Sequence, residues 1–107
     1  MMPSAQFGLD QKTISAIRAV FDRCKRVQNV VLYGSRAKGN YRQGSDIDLV
    51  IVAPELNTED LLKFENELED LMLPYKIDLS LQHHIDNKNL LEHIHRVGRE
   101  FLPGVHK

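Results

Sequence analysis

Asp46 and Asp48 stand two residues apart at the head of the apolar run Ile47 to Val52. On a strand, that spacing puts both carboxylates side by side on one face. Like charges so placed repel, and the arrangement is tolerated when a divalent cation, a proton or an arginine relieves them. Carboxylates converging on an oxygen-rich site suit Mg²⁺, which completes its shell with water and substrate phosphate. Asp78, between Ile77 and Leu79, is a third candidate for the same cluster. Gly34-Ser35 closes another apolar run, where a glycine permits close backbone approach and free N–H groups with a serine hydroxyl can hold phosphate oxygens. Arg36, Lys38 and Arg42 follow, cations able to neutralise a triphosphate beside the aspartates. Taken singly, most of these residues have an ordinary alternative: a turn for Asp46 and for Gly34-Ser35, an edge-strand surface for Asp78, a solvated basic loop for the cations. Asp48 resists such a reading, because an unpaired carboxylate inside an apolar run is unfavourable.

The elements that must position these groups follow from hydrophobic period. Leu9 to Arg26 carries Ile14, Ile17, Val20, Phe21 and Cys24 on one helical face, with Asp10 as N-cap. Asn29 to Tyr33 is short, apolar and β-branched, which predicts a buried strand ending at Gly34. Arg36 to Ser45 is polar, a loop or short helix between two strands. Ile47 to Val52 is the second strand, buried on both sides at its far end and stopped by Pro54. Asn57 or Thr58 caps a second amphipathic helix, with Leu61, Leu62, Phe64 or Glu65, Leu68, Leu71 and Met72 in its stripe and Pro74 closing it. Lys76 to Leu81 alternates cleanly, with Ile77, Leu79 and Leu81 on one face and Lys76, Asp78 and Ser80 on the other. Asp86 or Asn87 caps a last helix with the stripe Leu90, Leu91, Ile94, Val97 and Phe101, ended by Pro103-Gly104. The order α-β-β-α-β-α predicts an α/β fold, a small sheet packed against helices. The segment between the first two strands is short for a parallel crossover, so a mixed sheet is expected.

Composition narrows the function classes. A chain of 107 residues is expected to form one domain, residues 1–107. Fourteen Lys and Arg against 15 Asp and Glu leave a formal charge of -1, which disfavours bulk nucleic-acid binding but not a local basic site. The one cysteine, Cys24, excludes an internal disulfide and a four-cysteine zinc site, and reads as core on the first helix. His83, His84, His93 and His95 read as surface residues, with His83 or His84 at the rim of the site. No run approaches the ~20 apolar residues of a membrane span. Met1 to Gly8 lacks the basic start and apolar core of a signal peptide, so a cytoplasmic location is expected.

The string Tyr33-Gly34-Ser35-Arg36-Ala37-Lys38-Gly39, followed by Ser45-Asp46-Ile47-Asp48-Leu49, resembles the signature of the DNA polymerase β-like nucleotidyltransferases. It is most similar to their small prokaryotic branch, the minimal nucleotidyltransferases, including the antitoxins of HEPN/MNT pairs. Asp78 matches the third aspartate that the family carries on a later strand. The resemblance implies a nucleotidyltransferase fold, ATP as nucleotide donor and two Mg²⁺ ions held by Asp46 and Asp48, with Asp78 helping one metal and taking the proton of an acceptor hydroxyl. It implies that Gly34 and Ser35 contact the nucleotide phosphates and places Arg36 and Ser45 with them. It further implies a small helical HEPN-type partner whose tyrosine receives AMP, so that the chain acts as antitoxin. Larger members have further domains that bind the acceptor, so here a partner or a second copy of the chain is expected to supply that surface. Two rival readings remain: a Mg-nucleotide-binding module that neutralises its partner by binding alone, and a transferase acting on a small molecule.

Overall fold

The computed structural model describes residues 7–102. Helix α1 spans Gln11–Asp22, strand β1 Asn29–Tyr33, the one-turn helix α2 Ser35–Lys38 and strand β2 Ile47–Val52. Helix α3 (Thr58–Glu69) and strand β3 (Ile77–Leu81) follow, then a 3₁₀ turn at Gln82–His84, helix α4 (Lys88–Val97) and strand β4 (Arg99–Leu102). The strands form one sheet in the order β3-β2-β1-β4, with β1 antiparallel to β2 and β4, and β2 parallel to β3. The expected mixed sheet is therefore present, and α3 lies in the long crossover that the parallel pair requires.

Local chemistry sets the ends of these elements. Asp10 accepts from the Thr13 amide at the start of α1, and Asn57 and Asp60 satisfy each other's backbone amides in a capping box at the start of α3. Asn87 accepts from the Leu90 amide at the start of α4. Alternation along the strands then separates two faces. Val30, Leu32, Ile47, Leu49, Ile51, Leu79 and Leu81 face the main core with Ile14, Ile17 and Phe21 of α1 and Phe64 and Leu68 of α3. On the opposite face Tyr33 and Val50 pack against Ile94 of α4, with Val31, Leu90 and Val97 around them. Asp48, between Leu49 and Ile47 in sequence, shares that second face with Val50.

Three expectations need correction. Met72 is not part of a helical stripe: α3 ends at Glu69, and Met72 is 85% exposed with φ of 58°. The first helix is also shorter than Leu9 to Arg26, ending in a turn at Arg23. The last helix does not run to Phe101 but stops at Val97, and Phe101 lies fully buried in β4 against β1. Gly98 makes the break by adopting extended backbone, with ψ of 146°. A Cβ there would strike the Ile94 carbonyl and Val31, so the chain turns where only glycine fits, and pairs its next residues with the otherwise open edge of β1. Pro103-Gly104 lies outside the described residues. Among the described residues, no helix is long and apolar enough to cross a membrane.

Candidate active site

The carboxylates gather on the face that α4 covers only in part. Asp48 is paired in register with Tyr33 of β1 on one side and with Asp78 of β3 on the other. Directly opposed residues on neighbouring strands point to the same face, so Tyr33, Asp48 and Asp78 form a row across the sheet. Asp46 stands just ahead of β2, exposed, and Asp78 is exposed on β3, whereas Asp48 is half-buried. Burial pushes the Asp48 carboxyl above the usual carboxylate range, and the charges of Asp78 and Asp46 push it the same way. Among the described residues, the ion pairs are Arg23 with Glu67 and Arg26 with Asp60, so neither of these serves the aspartate row.

Gly34 brings the backbone to this row. Its φ of 78° and ψ of -156° are open to glycine, and a Cβ there would strike Asp48 Oδ2. The turn after β1 is thus seated directly on the central carboxylate, and α2 begins at once with Ser35, whose carbonyl accepts from the Gly39 amide (2.9 Å). Backbone, serine and carboxylate meet because β1 and β2 are antiparallel: the end of one strand lies beside the start of the other.

The remaining candidates separate. Lys38 and Arg42 are exposed. Arg36, read from sequence as a cation for a triphosphate, is instead 2% exposed, and its guanidinium donates to the backbone carbonyls of Phe7, Gln43 and Ser45. That expectation gives way to a bracing role, because donors committed to buried carbonyls are not offered to a ligand. The Ser45 hydroxyl accepts from the Arg42 amide (2.8 Å) and so closes the turn before Asp46. His83 is placed by a hydrogen bond between its Nε2 and the Leu56 carbonyl (2.9 Å) and by contact with the His84 ring.

Sequence reasoning passed over Tyr33 and Ser80. Burial first, then the charges of Asp48 and Asp78, hold the Tyr33 phenol above its ordinary range, while the Ser80 hydroxyl acts in the opposite direction. His93 of α4 meets the Tyr33 ring edge-on at 6.3 Å. The signal was present in the strand alternation, which sets Ser80 on the face of Asp78 and ends β1 with Tyr33 immediately before Gly34.

The donor chemistry fits Mg²⁺. Among the described residues no three carboxylate, imidazole or thiol groups form a ready-made metal cage. Mg²⁺ needs none, since one or two carboxylates with water and substrate phosphate are its usual protein shell. The raised affinity of Asp48 for a proton is the counterpart of that fit: a row of uncompensated carboxylates favours any bound cation. Cavities of about 460, 510 and 200 Å³ are lined by other residues, and none of the three includes Gly34, Ser35 or these aspartates.

Comparison with known proteins agrees with this geometry. The family model described as polymerase beta, nucleotidyltransferase, matches residues 15–102. A candidate protein adenylyltransferase of Methanocaldococcus jannaschii is 36% identical over 78 residues, covering 64% of this chain and 87% of that protein. Among solved structures, a chain of a toxin-antitoxin crystal structure with AMP-PNP superposes with a TM-score of 0.69 at 20% identity, over 87% of this chain and 74% of that one. A chain from the complex of tri-AMPylated Shewanella oneidensis HEPN toxin with MNT antitoxin gives 0.65 at 18% identity, over 89% and 72%. At these identities the structural likeness is one of fold.

Proposed function

The chain belongs to the polymerase beta nucleotidyltransferase family, and from that membership we propose that it transfers AMP from ATP to a tyrosine hydroxyl of a small helical HEPN-type partner, acting as its antitoxin. The observation that carries the reading is the seating of the Gly34 turn on Asp48, with Asp78 beside it in register. This joins a place for phosphates to a place for cations. The candidate protein adenylyltransferase supports a protein acceptor, and the toxin-antitoxin fold neighbours support the kind of partner.

Asp46 and Asp48 would hold two Mg²⁺ ions, with Asp78 contributing to one of them. Bound there, the metals neutralise charge on the attacking and leaving oxygens of phosphoryl chemistry. Gly34 and Ser35 hold phosphate oxygens and orient the α-phosphorus. Asp78 accepts the proton of the acceptor hydroxyl as that oxygen bonds to the α-phosphorus and the bond to the β-phosphate oxygen breaks, releasing pyrophosphate. Positioning of the acceptor falls to the partner's own surface.

The test is transfer of label from α-³²P-ATP in Mg²⁺, with the protein encoded beside this one as acceptor and an Asp46→Asn, Asp48→Asn variant as control. Label on a partner tyrosine that falls to background in the variant is expected. Tight association with no label moved from any nucleotide would leave a binding module as the better account. Label on a small molecule in place of the protein would redirect the acceptor.

A further inference from the structure

We infer that Arg36 is a positioning residue, a clamp that joins the phosphate turn to the carboxylate strand; the inference rests on the reading that Asp46 takes part in metal binding. Arg36 follows Gly34-Ser35 on α2 and is the one buried charged side chain among the described residues. Its Nε and Nη2 both donate to the Ser45 carbonyl, at 3.1 and 2.9 Å. That carbonyl belongs to the peptide plane between Ser45 and Asp46, so the two-point hold fixes the plane from which the Asp46 side chain departs.

The same guanidinium reaches the other segments that lead to the site. Nη1 donates to the Phe7 carbonyl (2.9 Å) ahead of α1, and Nη2 also reaches Gln43 (3.4 Å). Its carbon lies 5.3 Å from the Tyr41 ring centre and 5.0 Å from that of Tyr75. Tyr75 leads into β3, where the next residue, Lys76, accepts from the Ile47 amide (2.9 Å). Arg36 therefore touches the approaches to both Asp46 and Asp78 while standing one residue after Ser35.

The loop needs such a clamp. Residues 40–45 have no helix or strand, and their own hydrogen bonds close only the turn between Arg42 and Ser45. Among the described residues, the hydrogen bonds that tie this loop to the rest of the chain come from Arg36. A planar fork with several donors can serve three carbonyls in different directions, whereas a lysine ammonium offers one compact point. Lys38 and Arg42, unlike Arg36, are exposed.

The test compares Arg36→Lys and Arg36→Met with the wild type in thermal melting, amide hydrogen exchange and Mn²⁺-dependent ATP binding, the last read by electron paramagnetic resonance of the ion. Cooperative melting is expected to persist, with faster exchange across residues 40–46. The Mn²⁺ needed for half-saturation should rise by about tenfold, as when outer support of a metal ligand is lost. Transfer should recover at saturating metal. Unchanged exchange and metal requirement would overturn the clamp. So would an unchanged metal requirement with weaker ATP binding at saturating metal, which would give Arg36 to the phosphates. If both variants fail to fold, Tyr41→Leu, which removes one ring from the guanidinium but none of its hydrogen bonds, is read by the same criteria. Asp46→Asn run alongside separates the two assumptions. If that variant binds Mn²⁺ and ATP like the wild type, the metal role of Asp46 fails, and exchange at 40–46 alone then upholds or overturns the clamp.

Discussion

Asp48 binds its proton more tightly than a solvated carboxylate, first because it is half-buried and then because Asp78 and Asp46 repel its charge. Between the ordinary value of 3.8 and the raised folded value, the native state holds more protons than the unfolded chain, so stability falls as pH rises through that window. Above it the penalty is fully present; in acid below the ordinary value it is gone. In chelator at neutral pH, Asp48→Asn should therefore melt at a higher temperature than the wild type, with the gap closing as the solution is acidified. Melting curves across pH check this, and Mg²⁺ should raise the wild-type curve while leaving the variant nearly unmoved. Gly34 yields a second expectation. Alanine there meets both an unfavourable backbone region and Asp48 Oδ2. Gly34→Ala should lose about 1–3 kcal/mol in urea unfolding and lose binding of a fluorescent ATP analogue. Both residues were legible as types and spacing, since the strand period alone sets Asp46 and Asp48 on one face, but bringing Gly34 to Asp48 takes the antiparallel pairing of β1 with β2. Arg36 was not, because whether a guanidinium faces solvent or carbonyls depends on loops from distant parts of the chain.

Strands β1 and β2 were readable residue for residue, because each is a mainly apolar, β-branched stretch followed by a breaker, Gly34 or Pro54. The C-terminal strand β4 was hidden by a coincidence of spacing. Ile94, Val97 and Phe101 recur at intervals that suit a helix, and a four-residue strand is too short to display its own period. Gly98 carried the contrary signal. Were the helix continuous, Gly98→Ala would stabilise it by about 1 kcal/mol. In the observed fold the added methyl meets the Ile94 carbonyl and Val31, and the same substitution should destabilise by about 1–3 kcal/mol. The sign of the change in urea midpoint decides between the two.

Among the described residues, few long-range charge contacts hold the molecule together. The two ion pairs among the described residues lie outside the core, and the Arg23 and Glu67 side chains are 66% and 43% exposed. Such pairs contribute about 0–1 kcal/mol. Raising NaCl from low to high concentration should hence shift the melting temperature only slightly, whereas on the proposed reading Mg²⁺ should raise it through the aspartate row. No pattern in the sequence could have shown where these cavities open, since their positions follow from how separate elements meet. The first and last described segments also meet: Phe7 and Phe101 bring their ring centres to 6.1 Å, and Arg18 donates to the Phe101 carbonyl (2.6 Å). The segment ahead of α1 and the strand β4 are thereby one seam, far apart in the sequence but packed as neighbours. Loosening either side of this seam should therefore loosen the other: Phe101→Ala is expected to speed amide exchange in the turn at Phe7 and Gly8 as well as in β4.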